Sequence, residues 1–112
     1  MKNLKENEHL VYHYSNKPFD TFDKTKCDGF WFTDIDPKNS EMLNEIGAND
    51  IAYVAECIIT INNELLEDFN NYNCFESLEK NGCDGVECLY DGFSDFCVLN
   101  DSQIKILKWV KF

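Results

Sequence analysis

Apolar and polar positions alternate most regularly over residues 51–61, where Tyr53, Ala55, Cys57, Ile59 and Ile61 share one parity. That is the period of a strand with one face buried. Shorter apolar runs predict strands over 10–15, 30–33, 85–89, 96–99 and 104–110, with turns at Tyr90-Asp91-Gly92 and Asn100-Asp101-Ser102. Phe19 and Phe22 punctuate an otherwise polar stretch, so the loop over 16–28 is expected to fold back onto the core. Helices are predicted over 37–46, opened by Asp36-Pro37 and closed by Gly47, and over 75–81, stopped by Gly82. A short helical turn is expected over 64–69.

Six strands that rarely alternate with two or three short helices describe an α+β domain rather than a doubly wound parallel fold. No repeat, low-complexity tract or Pro/Gly-rich linker divides the chain, so residues 1–112 are expected to form one domain, with 1–8 a loosely ordered lead-in. At 44% hydrophobic and 14% aromatic, its 112 residues have enough apolar material for a core. No apolar run nears the roughly 20 residues of a membrane span, and the charged start has no apolar h-region behind it. The expected location is the cytoplasm, with no membrane partner.

Charge narrows the partners. The net charge is −11, and all ten basic residues are lysines. Direct nucleic-acid binding, which needs clustered cations on phosphates, is therefore not expected. The acidic balance has two readings: a solvated surface, or a surface that docks on a basic, nucleic-acid-binding protein. The six cysteines show no Cys-x-x-Cys pair and no neighbouring histidine, so no metal is expected. Without a secretion signal they are expected to be reduced, with Cys57 and Cys97 acting as small buried hydrophobes.

Three residues stand out as candidate chemistry. His13 lies in an apolar strand among Val11, Tyr12 and Tyr14, where its ring offers a donor and an acceptor. The bland reading is a core or edge histidine satisfied by backbone. Trp31 is centred in Gly29-Phe30-Trp31-Phe32-Thr33; it faces away from Phe30, so one of the two can line a cleft and stack on a flat heteroaromatic ring. The bland reading is core. Gln103, the chain's single glutamine, heads the last apolar strand and reads either as a site residue or as a surface turn residue. His9 is expected to be exposed. A calcium loop at Asp34-Ile35-Asp36 is disfavoured by Lys38 and Asn39, and a thiol-protease pair by the absence of a cysteine opening a helix.

Five short motifs in order carry a resemblance: Tyr12-His13-Tyr14-Ser15, Phe19-Asp20-Thr21-Phe22-Asp23, Gly29-Phe30-Trp31-Phe32-Thr33, Gly82-Cys83-Asp84-Gly85-Val86 and Asn100-Asp101-Ser102-Gln103-Ile104-Lys105. Together they resemble the ADP-ribosyltransferase fold, specifically the short domains of phage and mobile-element polyvalent proteins. The resemblance implies a split mixed sheet and NAD bound as substrate in a cleft between its halves. It implies His13 on a ribose hydroxyl, the backbone at Tyr14 on the nicotinamide amide, Trp31 lining the nicotinamide pocket with Thr33 on the same strand, and Gln103 in the catalytic position. Asp101 is a possible auxiliary acid. The arginine-type branch does not apply, since the chain has no arginine.

The chain departs from the pattern at three points. Tyr14 replaces a glycine, Met42 or Leu43 replaces a tyrosine, and Gln103 replaces the glutamate of the best transferases. The implied function is mono-ADP-ribosylation of a host or defence protein. The alternatives are a lapsed, acidic domain of this fold that inhibits a basic partner by binding, and an unrelated α+β enzyme or interaction module.

Overall fold

Strand periodicity at residues 53–61 translates into a strand with one buried face. A computed structural model describes residues 4–23, 25, 27, 29–39, 51–65 and 73–111. Its elements are β1 (Glu8–Ser15), β2 (Phe30–Thr33), β3 (Tyr53–Thr60), α1 (Cys74–Lys80), β4 (Gly85–Tyr90), β5 (Phe93–Val98), a 3-10 turn (Asp101–Gln103) and β6 (Ile104–Lys111). The strands form one six-stranded sheet in the order β4-β5-β2-β1-β3-β6. All five pairings among the described strands are antiparallel, not mixed as expected. The parallel contact among the described residues is a single bridge, Glu64 with Gly85.

Of the helical turn expected over 64–69, residues 66–69 lie outside the described residues; at its start Glu64 is drawn into the sheet's margin, and Leu65 donates its N–H to Gly85 O. The expected helix over 37–46 falls largely outside the described residues, together with Met42 and Leu43. At its expected start Asp36 closes a turn, its carboxylate accepting from Lys38 N at 2.8 Å. β5 begins three residues earlier than predicted. Ser94 and Asp95 are poor strand formers, but pairing with β2 and a tight turn through Gly92 (φ 90°) hold them extended.

Pairing register fixes the faces. Val11, Phe30, Phe32, Ala55, Cys57, Ile59, Phe96 and Val98 pack together on one face and are buried. On β6, Ile104, Ile106 and Trp109 join them, a 2-then-3 spacing that an unbroken strand cannot direct to one side. A register shift resolves this: Glu56 pairs with Lys108 and Cys57 with Ile106, leaving Leu107 as a bulge. The loop carrying Phe19 and Phe22 folds over this face as predicted, their rings edge-on at 4.8 Å, and Trp109 Nε1 donates to Phe19 O at 3.0 Å.

A second cluster of Leu65, Cys74, Leu78, Val86 and Cys97 attaches α1 to β4 and β5. Here the cysteines depart from expectation. Cys74 opens α1, and it forms a disulfide with Cys97 on β5. Cys57 stays a buried thiol as predicted, and burial, reinforced by the Glu56 charge, pushes its pKa up to about 12. No helix among the described residues is long and apolar enough to cross a membrane.

Candidate functional site

β1 pairs with β3 along its whole length, from Glu8↔Thr60 to Ser15↔Tyr53, but it meets β2 at one register pair, Tyr12↔Thr33. A cleft of about 290 Å³ lies over that seam, lined by Tyr12, His13 and Tyr14 of β1, Trp31, Phe32 and Thr33 of β2, and Asp95 of β5. His13, Tyr14, Trp31 and Thr33, all singled out from the sequence, therefore line one depression.

His13 reaches across the seam. Its Nδ1 lies 2.7 Å from Trp31 O, and because a carbonyl only accepts, the proton sits on Nδ1 and leaves Nε2 as an acceptor. Rings of Phe19, Phe22 and Phe32 surround the imidazole at 5.6, 5.1 and 5.6 Å. Burial pushes its pKa below 6.5, against the opposing pull of the Trp31 carbonyl, so the ring is neutral at pH 7. Tyr14 donates its hydroxyl to Ile35 O at 2.8 Å and packs on Ile35, closing one end of the cleft. Burial raises its pKa, with smaller contributions from Tyr12 and Asp36.

Asp95 was not anticipated. It pairs with Thr33 on one side and Cys88 on the other, and among the described residues it is the one carboxylate lining the cleft. Its pKa is pushed up by burial, held back by a hydrogen bond with Thr33, and raised a little further by Asp34. A half-buried carboxylate raised by its surroundings, in a cleft, is the profile of a functional group. The alternation in Phe93-Ser94-Asp95-Phe96 was the available signal, but placing Asp95 beside Thr33 requires the strand order, which no local pattern contains. Register extends the row on this face: Cys88, Asp95, Thr33, Tyr12, Glu56 and Lys108 lie side by side across all six strands.

Gln103 is elsewhere. Its Nε2 donates to Thr60 O and Asp84 O, both at 2.8 Å, while its Oε1 accepts from Leu99 N at 3.2 Å and Asn100 N at 2.8 Å. Both amide donors and both carbonyl lone pairs are spent on backbone. Thr60 lies five residues along β3 from Ala55, the partner of His13, which is roughly 16 Å of strand. Neither reading of Gln103 as a cleft residue nor as a simple surface turn describes a side chain that staples three segments together. Asp101 is likewise occupied: its carboxylate accepts from Phe22 N at 2.9 Å and pins the aromatic loop. Asp84 completes the clamp, accepting from Asn62 N and Asn63 N. The two late motifs of the resemblance thus hold β3, β4 and β6 in register.

Comparison with protein-family models and with curated proteins finds no match for the chain.

Proposed function

We propose that the protein binds NAD at the β1–β2 seam and transfers ADP-ribose to a protein. This reading makes it a mono-ADP-ribosyltransferase of the phage or mobile-element kind, acting on a host or defence target. The observation that carries it is the meeting of Trp31 and Asp95 with the β1 segment Tyr12-His13-Tyr14 in one cleft. The seam supports the split sheet of that fold, with β4-β5-β2 as one half and β1-β3-β6 as the other, joined by a single register pair.

Each residue has a role its chemistry suits. The Trp31 indole stacks on the nicotinamide ring. His13 supports the cleft from the other face of the sheet, where its ring packs among Phe19, Phe22 and Phe32 and its Nδ1 proton holds Trp31 O, which positions the strand that carries the indole. As the bond from ribose C1′ to nicotinamide breaks, its electron pair leaves with nicotinamide and positive charge develops on the ribose. A carboxylate fixed beside that charge stabilises it far better than an amide does. Asp95 is therefore assigned the part that the sequence motif gave to Gln103. An acceptor side chain of the target then closes the new bond at C1′ and releases its proton to solvent.

A second reading has its own support. A cleft of about 290 Å³ lies at the small end of ligand sites, and Tyr14 stands where the family has glycine. An acidic domain of this fold that blocks a basic, nucleic-acid-binding partner accommodates both facts along with the charge of −11. Incubation with labelled NAD and a cell lysate separates the two. Transfer by the wild type that is lost in Asp95→Asn and Trp31→Ala supports the enzyme. No transfer, with no thermal shift on adding NAD, rejects it in favour of the binder.

A further inference from the structure

Behind Trp31, in the cluster on which it packs away from the cleft, lies a disulfide. Cys97 lies directly opposite Trp31 in the β2–β5 register, and Cys74 at the head of α1 is bonded to it, both fully buried. Gly29 shows how close the three groups are. A methyl placed on its Cα would sit 2.7 Å from Cys74 Cβ, 2.7 Å from Trp31 Nε1 and 3.0 Å from Cys97 Sγ, so the indole and the disulfide both close on the Gly29 backbone. Trp31 packs against this second cluster on one side and lines the cleft on the other.

We propose that the Cys74–Cys97 bond is a redox switch that sets the position of Trp31 and so the shape of the cleft. A thiolate of a dithiol reductant attacks one sulfur; the other leaves as thiolate and takes a proton. The second reductant thiol then closes its own disulfide and releases the first cysteine. Two electrons and two protons pass to the protein, and the reductant leaves oxidised. Both sulfurs are buried, so exchange proceeds through local opening of α1, a seven-residue helix whose packed face rests on this cluster. The two freed thiols each require a van der Waals surface where a bond now joins them. Interiors are packed too densely to absorb that without displacement. On the sheet side of the bond the contact able to yield is Trp31, because β5 is held by strands on both sides while the indole borders open cleft. The oxidised form is then the one shaped for the ring ligand, and reduction, the default state of a cytosolic thiol pair, loosens it.

The ligand half of this inference rests on the nicotinamide reading of the cleft; the Trp31 half does not. Both are tested on the full chain carrying Trp109→Phe, so that Trp31 is the sole tryptophan. The protein is poised oxidised or reduced with dithiothreitol, the bond is checked by thiol alkylation and mass, and the fold by circular dichroism. Reduction is expected to change Trp31 emission and to weaken NAD binding roughly tenfold, within the usual range of coupling between linked sites. By reciprocity NAD must make the bond harder to reduce by the same factor. A changed emission with no NAD binding in either form rejects the nicotinamide reading and upholds the switch on Trp31. Unchanged emission and affinity, free thiols at both positions in protein never exposed to reductant, or global unfolding on reduction would each overturn it.

Discussion

Replacing Gln103 by glutamate puts the stapling role of this side chain to a direct test. If residue 103 faced an NAD cleft, the substitution would supply the carboxylate that active transferases carry and raise turnover. The geometry demands the opposite. Nε2 donates to two carbonyl oxygens at 2.8 Å, and a carboxylate in its place offers them only another acceptor. Two hydrogen bonds are lost, each worth about 1 kcal/mol net. Asp84 O keeps a partner in Leu99 N, but Thr60 O loses its side-chain donor and meets a charge of its own sign. Adding about 1–2 kcal/mol for that uncompensated contact gives a loss of roughly 3–4 kcal/mol. At about 4 °C per kcal/mol for a domain of this size, the melting temperature falls by roughly 12–16 °C. Thermal unfolding followed by circular dichroism reads this directly. A Gln103→Glu protein that melts within about 2 °C of the wild type would refute the staple, and one that also gained NAD turnover would return residue 103 to the site.

Asp95→Asn is expected to raise stability at neutral pH. The folded pKa of Asp95 lies above its unfolded value, so the native state binds the proton more readily and ionisation penalises folding as pH rises through that interval. The gain over wild type should vanish at acid pH in chemical denaturation, and a gain independent of pH would contradict the assignment. His13 titrates with the other sign. Its folded pKa is depressed, so stability is lost as pH falls through about 6.5, the unfolded value, and His13→Gln should abolish that loss between about pH 7 and 5. Phe22→Ala removes a ring packed on His13, Phe19, Phe30 and Phe32 and should cost about 3–5 kcal/mol in urea unfolding. Gly29→Ala should shift the emission of Trp31, since the new methyl collides with its indole; an unchanged spectrum would count against the close approach.

What local pattern encodes and what it does not is visible residue by residue. Ala55, Cys57, Ile59 and Ile61 declare a buried face because burial and the two-residue period are local facts, and all four are in the core. The loop phenylalanines fold back because few other groups in that stretch can cover the sheet. Trp31 and Phe30 divide between faces as alternation requires, with Phe30 buried and Trp31 at the cleft. Asp95 escapes notice because its meaning comes from lying opposite Thr33, a neighbour 62 positions away in sequence. Gln103 misleads for a physical reason: a polar residue heading an apolar strand signals a buried hydrogen-bond network as readily as a reaction centre. The Cys74–Cys97 pair is hidden because no spacing rule joins a helix start to a strand 23 residues on.

The strand order also determines how the chain has to fold. Among the described strands, β4 and β5 are joined by a two-residue turn, while β1 waits for β3 some 45 positions later and β3 waits for β6 at 104–111. Closing such distant segments costs chain entropy before any of it is repaid, so folding is expected on the millisecond-to-second scale of β-rich domains. During synthesis, β1 and β3 can pair early but present a bare edge until β6 emerges to cover it. The lysines at 105, 108 and 111 then line the finished edge, where charge discourages a second chain from adding itself to the sheet.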